Sequence, residues 1–454
     1  MLKGTIIKVI LVVLLAFVLR VLYLDSSPSG VYVDEAAIGY NAYTIAHTGR
    51  DEHGSVLPLF LESYGTFTSG LVAYFVAVPV GSLRITPVIL GTLSVLAMIV
   101  LASKYLRSMG DGIRAGLILA LAPSHVLWSR AFYEPTLGLL LFLISLCRSG
   151  WTQMLFLSLS VYAYQPLRLI TYVYIFIMIL QRKLNFKDIF VFCLTQIPMF
   201  YLSMQPGPNS RALALLWWNI IPHNPILIIR EFLSQYLAYL SPANLFWYPD
   251  PDLQRALPLL SVFYSWQVVP YLIGLWKMPR SLLLLYLLFP LSAALTRDPF
   301  STLRAMLLYI PITMIIVRGL RKVNNLGFVL LMVFSLFWLI RSLFVLLPQE
   351  RRVVWNTGYK ELFTYLDKQN KPVVIDVDKP VYILKLFYDK QIPKLLEFRP
   401  LVWKEDVCRD QLIVGTDLLI SPKQAQEHFL DFQVKIEPNL VVYSTNPAKK
   451  CKID

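Results

Sequence analysis

An acidic pair, Asp34 and Glu35, follows the first long apolar run, within VYVDEAAIGYNAYTIAHTGRDEHGSVLPLF. An ionised carboxylate beside a membrane is costly unless it has a partner or a task. One such task is general base catalysis, in which a fixed carboxylate takes the proton of an attacking hydroxyl. The same position suits a helix N-cap, because Asp34 precedes the helical-looking stretch 36–47 and an acidic residue there complements the helix dipole. The two roles are compatible, since a capped carboxylate is also an immobilised one. Two further clusters carry guanidinium groups. SRAFYEP holds Arg130 and Glu134, which at four-residue spacing can pair, with Arg130 snorkelling from the helix end as the plainer reading. LTRDPFSTLRAMLLYIP holds Arg297, Asp298 and Arg304, the last at the end of an apolar run, where a guanidinium can grip a phosphate through paired hydrogen bonds.

The elements that must position these groups are membrane helices. Of 454 residues 56% are apolar, only 15% are charged and the mean hydropathy is +0.58. Soluble proteins carry about 25% charge, so the composition argues against a water-soluble multidomain enzyme. The net charge of +14 suggests a nucleic-acid partner, but its distribution does not. Residues 349–454 hold 17 basic and 15 acidic side chains, leaving 25 and 13 for the first 348 positions. The chain therefore divides into a membrane portion, 1–348, and a polar C-terminal domain, 349–454, large enough for a core of its own.

A crossing helix needs about 20 apolar residues. The first run, 5–24, follows Lys3 and is too long for a cleaved signal peptide, so it reads as a retained anchor. Further candidates lie near 85–103, 113–128, 133–147, 151–165, 168–181, 187–203, 261–276, 281–296, 302–317 and 323–347. The stretch 67–80 is shorter and contains Pro79, which suits a buried or interfacial helix. Leaving it uncounted puts the basic loops around Lys104, Arg148, Lys183, Lys277 and Arg321 on the N-terminal, cytoplasmic side, as the positive-inside rule requires. The expectation is a polytopic α-helical protein of the cytoplasmic membrane with eleven spans, a cytoplasmic N-terminus and an extracytoplasmic C-terminal domain. Its outer face then carries the acidic pair and the arginines, and includes two long segments near 25–84 and 204–258 with amphipathic stretches at 36–47 and 226–240.

The C-terminal domain reads as small α/β, with strands in KPVVIDVD, QLIVGTDLLIS and NLVVYST and helices near 358–369 and 422–429. Cys147 and Cys193 fall in apolar runs, and Cys408 and Cys451 are the two that could form a disulfide. No zinc spacing, Walker A loop, GxGxxG or internal repeat is present. Outer aromatics such as Trp217, Trp218, Trp247, Tyr248 and Tyr264 can stack on a sugar or line a lipid groove, against the plainer reading of an interfacial belt.

Taken in order, the DE pair, TGRDEHGSVLPLF, LRITPVILGTLSVL, SRAFYEP, YLSPANLFWYPDPDLQR and ALTRDPFSTLRA resemble bacterial GT-C glycosyltransferases of the protein O-mannosyltransferase and aminoarabinose-transferase type. The resemblance spans roughly residues 1–345, and YILKLFYDK is similar to segments that follow the last span in such proteins. It implies an inverting transferase that takes a sugar from a polyprenyl-phosphate donor at the outer face and passes it to a glycan, lipid or protein acceptor. It also implies Asp34 as catalytic base, Glu35 assisting acceptor binding, and Arg130 and Arg304, with Arg297, holding the donor phosphate. Glu134, Arg255 and Tyr40 are further candidates for substrate binding. Neither a cofactor nor a metal is indicated, since no diphosphate needs holding, and no nucleic-acid partner is expected. The competing classes are a transporter or lipid-linked sugar flippase, against which the uncharged span centres and lack of repeats argue, and a non-catalytic scaffold.

Overall fold

The computed structural model describes residues 2–445 apart from 64–65, 78–82, 206, 208–209, 222–223, 277, 299 and 377–379. Cys451 lies outside the described residues, and so does Lys277. The chain packs as two units, Met1–Ser27 with Thr44–Glu350, and Pro28–Tyr43 with Arg351–Asp454.

The first unit is a set of helices, because an apolar run in hydrocarbon must satisfy its backbone polar groups within itself. Every one of the eleven expected runs contains helix. Three helices, Lys3–Val21, Ile85–Leu106 and Asn325–Glu350, are long and apolar enough to cross a bilayer by length and composition. Shorter apolar helices include Glu134–Cys147, Pro166–Leu180 and Arg280–Ala294. Proline explains two of the interruptions. Pro123 starts a separate helix, Pro123–Trp128, directly after Met109–Leu121, and Pro290 separates Arg280–Leu288 from Leu291–Ala294. Close contact between helices falls at glycines. A Cβ on Gly274 would meet the Ile315 carbonyl oxygen at 1.9 Å, and one on Gly319 would meet that of Pro270 at 1.8 Å. Helices Val268–Trp276 and Tyr309–Gly319 thus touch backbone to backbone, as small residues allow in membrane proteins.

The described residues 67–77 of the stretch 67–80 do not form one helix. Strand β1 (Phe60–Ser63) pairs antiparallel with β2 (Thr66–Ser69), and a helix of seven residues, Leu71–Ala77, follows. At 1.5 Å per residue it covers about 10 Å, too little to cross. The amphipathic stretches become helices Val33–Thr48 and Pro225–Leu240, the second capped by Asn224 Oδ1, which accepts from Leu227 N at 3.1 Å.

The second unit holds a five-stranded sheet of order β4-β3-β5-β7-β6, made of β3 (Val373–Ile375), β4 (Leu396–Phe398), β5 (Leu412–Thr416), β6 (Asp431–Ile436) and β7 (Leu440–Ser444). β3 runs parallel to β4 and β5, while β7 is antiparallel to β5 and β6. Ile413, Ile420, Val441 and Val407 form the core against helix Pro422–Glu427. The division expected at 348/349 lies at Glu350/Arg351, but residues 28–43 belong to this unit and not to the helical one. The reason is local: Gly30 has no side chain, so its backbone lies directly on that of Trp355, Asn356 and Thr357.

One ion pair ties the sheet to its loops. Arg399 donates to both oxygens of Asp406, at 2.8 and 2.7 Å, and the same carboxylate accepts from Val402 N at 2.7 Å. Asp406 is fully buried, and chiefly the Arg399 hydrogen bonds hold its pKa down to about 2. A depressed carboxylate pKa stabilises the fold above the unfolded value, and the contribution is lost as pH falls through the folded one. Asp406→Asn is therefore expected to cost on the order of 2 kcal/mol at neutral pH. Hydrogen exchange of the sheet amides in the full-length protein should show the deficit from neutral pH down to about 4, closing as pH approaches 2.

Candidate active site

The acidic pair sits in the first turn of helix Val33–Thr48. The helix begins one residue earlier than a cap at Asp34 requires, since Ala36 N already donates to Tyr32 O at 2.9 Å. Asp34 is thus inside the first turn and not the N-cap, though still where the dipole favours negative charge. Adjacent helical residues point about 100° apart, and the two carboxylates differ accordingly. Glu35 is fully buried, whereas Asp34 is half-buried. Of the pair, Asp34 is the more exposed. Tyr40, on the same helix, is also half-buried.

The arginines of the last outer loop are assembled by long-range contacts in the helical unit. Residues 296–297 are bridged to 215–216, with Arg297 N donating to Leu215 O at 2.9 Å. Tyr239, buried in helix Pro225–Leu240, accepts from Ser301 N at 2.8 Å. Asp250 of YPDPDLQR takes both the backbone N and the hydroxyl of Thr302 at 2.8 Å. Within this frame Arg304 Nη2 lies 2.5 Å from Asp298 Oδ2, and its Nη1 donates to Thr296 Oγ1 at 2.5 Å. Arg255 approaches the same Asp298 oxygen at 3.7 Å and Asp252 at 3.2 Å. Arg255, Arg304 and Asp298 therefore form one partly buried cluster, while the Arg297 side chain is exposed.

The electrostatics follow from that packing. Burial raises the pKa of Asp250, against the opposing pull of the Thr302 N–H and Arg255. Burial works against the charge on Arg255, but Asp250, Asp252 and Asp298 together outweigh it and raise its pKa. Such guanidinium groups stay charged throughout any accessible pH range, and a pair around one carboxylate is suited to exchange it for a phosphate. Tyr239, Phe263, Phe300 and Tyr309 line an apolar crevice beneath Thr302.

Arg130 has a different setting. It is fully buried, and its guanidinium reaches the carbonyl oxygens of Leu19, Arg20, Leu22, Tyr23 and Ser27 at 2.7 to 3.1 Å. All five guanidinium donors are engaged in closing the C-terminal end of helix Leu2–Val21. This geometry supports a structural cap over a phosphate ligand, which would need those donors. Glu134, half-buried, opens helix Glu134–Cys147. Arg130→Met should leave several carbonyls unpaired and cost on the order of 3 kcal/mol. The check is the melting temperature and folded yield in detergent, both of which should fall.

Asp250, Thr302 and Tyr239 escaped the sequence reading, although YPDPDLQR itself stood out. Its Asp250 matters through a partner 52 residues away, which no spacing reveals. Among the aromatic candidates Trp218, Trp247 and Tyr248 are exposed, as an interfacial belt requires, whereas Tyr264 is buried and donates to Leu121 O at 2.9 Å. Among the described residues no three His, Cys, Asp or Glu side chains gather as a metal site would require.

Comparison with known proteins adds the fold. ArnT from Cupriavidus metallidurans bound to undecaprenyl phosphate superposes with a TM-score of 0.54, covering 97% of this chain and 98% of that one at 12% identity. The apo state of the same ArnT gives 0.52, with 98% of each chain covered at 11% identity. The chain thus has the GT-C-type fold over nearly its whole length, the C-terminal domain included. No sequence model of a protein family matches the chain, and no curated protein is significantly similar to it in sequence.

Proposed function

We propose that this chain is an inverting glycosyltransferase that moves a sugar from a polyprenyl-phosphate donor to an acceptor at the outer face of the cytoplasmic membrane. The observation that carries the reading is the partly buried, braced Arg304–Asp298–Arg255 cluster on a fold shared end to end with a protein crystallised with undecaprenyl phosphate. In the proposed reaction Asp34 takes the proton of the acceptor hydroxyl as its oxygen attacks the anomeric carbon. The bond to the phosphate oxygen breaks as the new glycosidic bond forms, so the anomeric configuration inverts. Charge accumulates on the departing lipid phosphate, where the partly buried Arg304 and Arg255 stabilise it, with the exposed Arg297 as a further candidate contact. Glu35 is buried, and in this reading it acts on the placement of the helix and not on the reacting atoms.

The reading also includes eleven spans, a cytoplasmic N-terminus and an extracytoplasmic C-terminal domain, supported by the placement of Lys and Arg. The acceptor class is a glycan, a lipid or a protein. The test is incubation of the full chain in proteoliposomes with a panel of undecaprenyl-phosphate-linked hexoses and pentoses. Release of undecaprenyl phosphate coupled to a new glycoside supports a transferase. Movement of the intact donor between leaflets without any glycosidic product refutes it.

A further inference from the structure

The segment that carries the acidic pair is held at both ends by the C-terminal part of the chain. At its start, a Cβ on Gly30 would stand 2.0 Å from the Trp355 carbonyl oxygen and 2.8 Å from Thr357 N, so only glycine fits. Ser29 Oγ lies 2.7 Å from Thr357 Oγ1, and Asn356 Nδ2 donates to Val31 O at 3.0 Å. The Tyr32 and Trp355 rings meet edge to face at 6.4 Å. The receiving turn is itself tightly wound: Trp355 N donates to Arg351 O at 3.1 Å and Thr357 N to Arg352 O at 3.0 Å. Asn356 sits there at φ 53°, in the left-handed region that Asn tolerates better than most residues. At the far end the Lys390 ammonium lies 4.9 Å from the centre of the Tyr43 ring. Lys390 closes helix Tyr382–Asp389, and so ends the YILKLFYDK stretch that the sequence singles out.

Asp34 and Glu35 lie between these two clamps. A segment left free at 28–33 would retain backbone entropy of about 1–2 kcal/mol per residue, and a base displaced by about 1 Å loses much of its advantage. The clamps remove that freedom using residues more than 300 positions away. We propose that Asn356, Thr357 and Lys390 are positioning residues for the acidic turn, so that the C-terminal domain holds the general base of the transferase in place. The inference rests on the reading of Asp34 as that base.

Asn356→Asp tests it gently, because Asp also tolerates the left-handed backbone while its carboxylate cannot donate to Val31 O. With full-length protein in nanodiscs and an undecaprenyl-phosphate-linked sugar, kcat is expected to fall about tenfold, with KM for the donor and binding of undecaprenyl phosphate unchanged. Hydrogen exchange at 33–43 should quicken. Adding Ser29→Cys with Thr357→Cys, whose hydroxyls are within hydrogen-bond distance, should close a disulfide on oxidation and restore kcat, with reduction reversing the rescue. Lys390→Met makes the same prediction from the opposite clamp, should Asn356→Asp fold poorly. Unchanged kcat and unchanged exchange at 33–43, or a closed disulfide that abolishes transfer, overturns the proposal. Undiminished transfer by Asp34→Asn would remove the base assignment alone, and the exchange and cross-linking results would still decide whether the domain holds the segment.

Discussion

Asp34→Asn is expected to lower the rate of the proposed sugar transfer by about 10²- to 10⁴-fold, the range typical of removing a positioned general base. The substitution keeps the size of the side chain and removes only its capacity to take a proton. What it loses structurally is a charge at the helix start, about 0.3–1 kcal/mol, so folding and binding of undecaprenyl phosphate should be preserved. Glu35→Gln provides the contrast. Glu35 is fully buried while Asp34 is half-buried, so Glu35→Gln should act on stability first and on turnover only through it. Transfer rates and melting temperatures of both variants, measured on the same preparations, separate the two carboxylates. A wild-type rate in Asp34→Asn would remove it as base.

Arg304→Ala should cost about 10²- to 10³-fold in kcat, as expected for losing one fixed group that stabilises developing charge. It should also weaken binding of undecaprenyl phosphate, because in the proposed reaction the guanidinium holds the phosphate both before and after the bond breaks. Arg304→Lys keeps the charge but not the planar fork that spans Asp298 and Thr296, and should fall between alanine and wild type. The opposing expectation is that Arg304 only braces the loop. Wild-type affinity for undecaprenyl phosphate in Arg304→Ala, together with a lowered melting temperature, would favour the brace.

The helices of the membrane portion were legible because their signal is composition summed over about 20 residues. Their interruptions were less so. Pro123 and Pro290 break runs whose mean hydropathy is uninterrupted, and the described residues 67–77 of the stretch 67–80, read as a buried or interfacial helix, divide into the end of β2 and a helix of seven residues. In the C-terminal domain β3, β5 and β7 were visible as β-branched runs. β4 has only three residues and β6 interleaves Gln433 and Lys435 with its apolar positions, so neither stood out. At the candidate site, residue type and order point to Asp34 and Arg304 as candidates. Burial then separated residues that sequence treats alike. Arg130 and Arg304 both stand at the ends of apolar runs, yet one faces backbone carbonyls and the other a carboxylate. Sequence also divided the chain by charge, whereas residues 28–43 follow contacts made by Gly30 and Asn356 across more than 300 positions.

The central claim is a single displacement at the anomeric carbon of a polyprenyl-phosphate-linked sugar, and the anomeric configuration of the product tests it most directly. Purified full-length protein is supplied with an undecaprenyl-phosphate-linked sugar of defined anomer, and the first glycoside formed is examined by NMR before it can equilibrate. Inversion relative to the donor, with one undecaprenyl phosphate released per glycoside, is the predicted result. Retention of configuration, or translocation of the donor with no glycoside formed, would contradict the account.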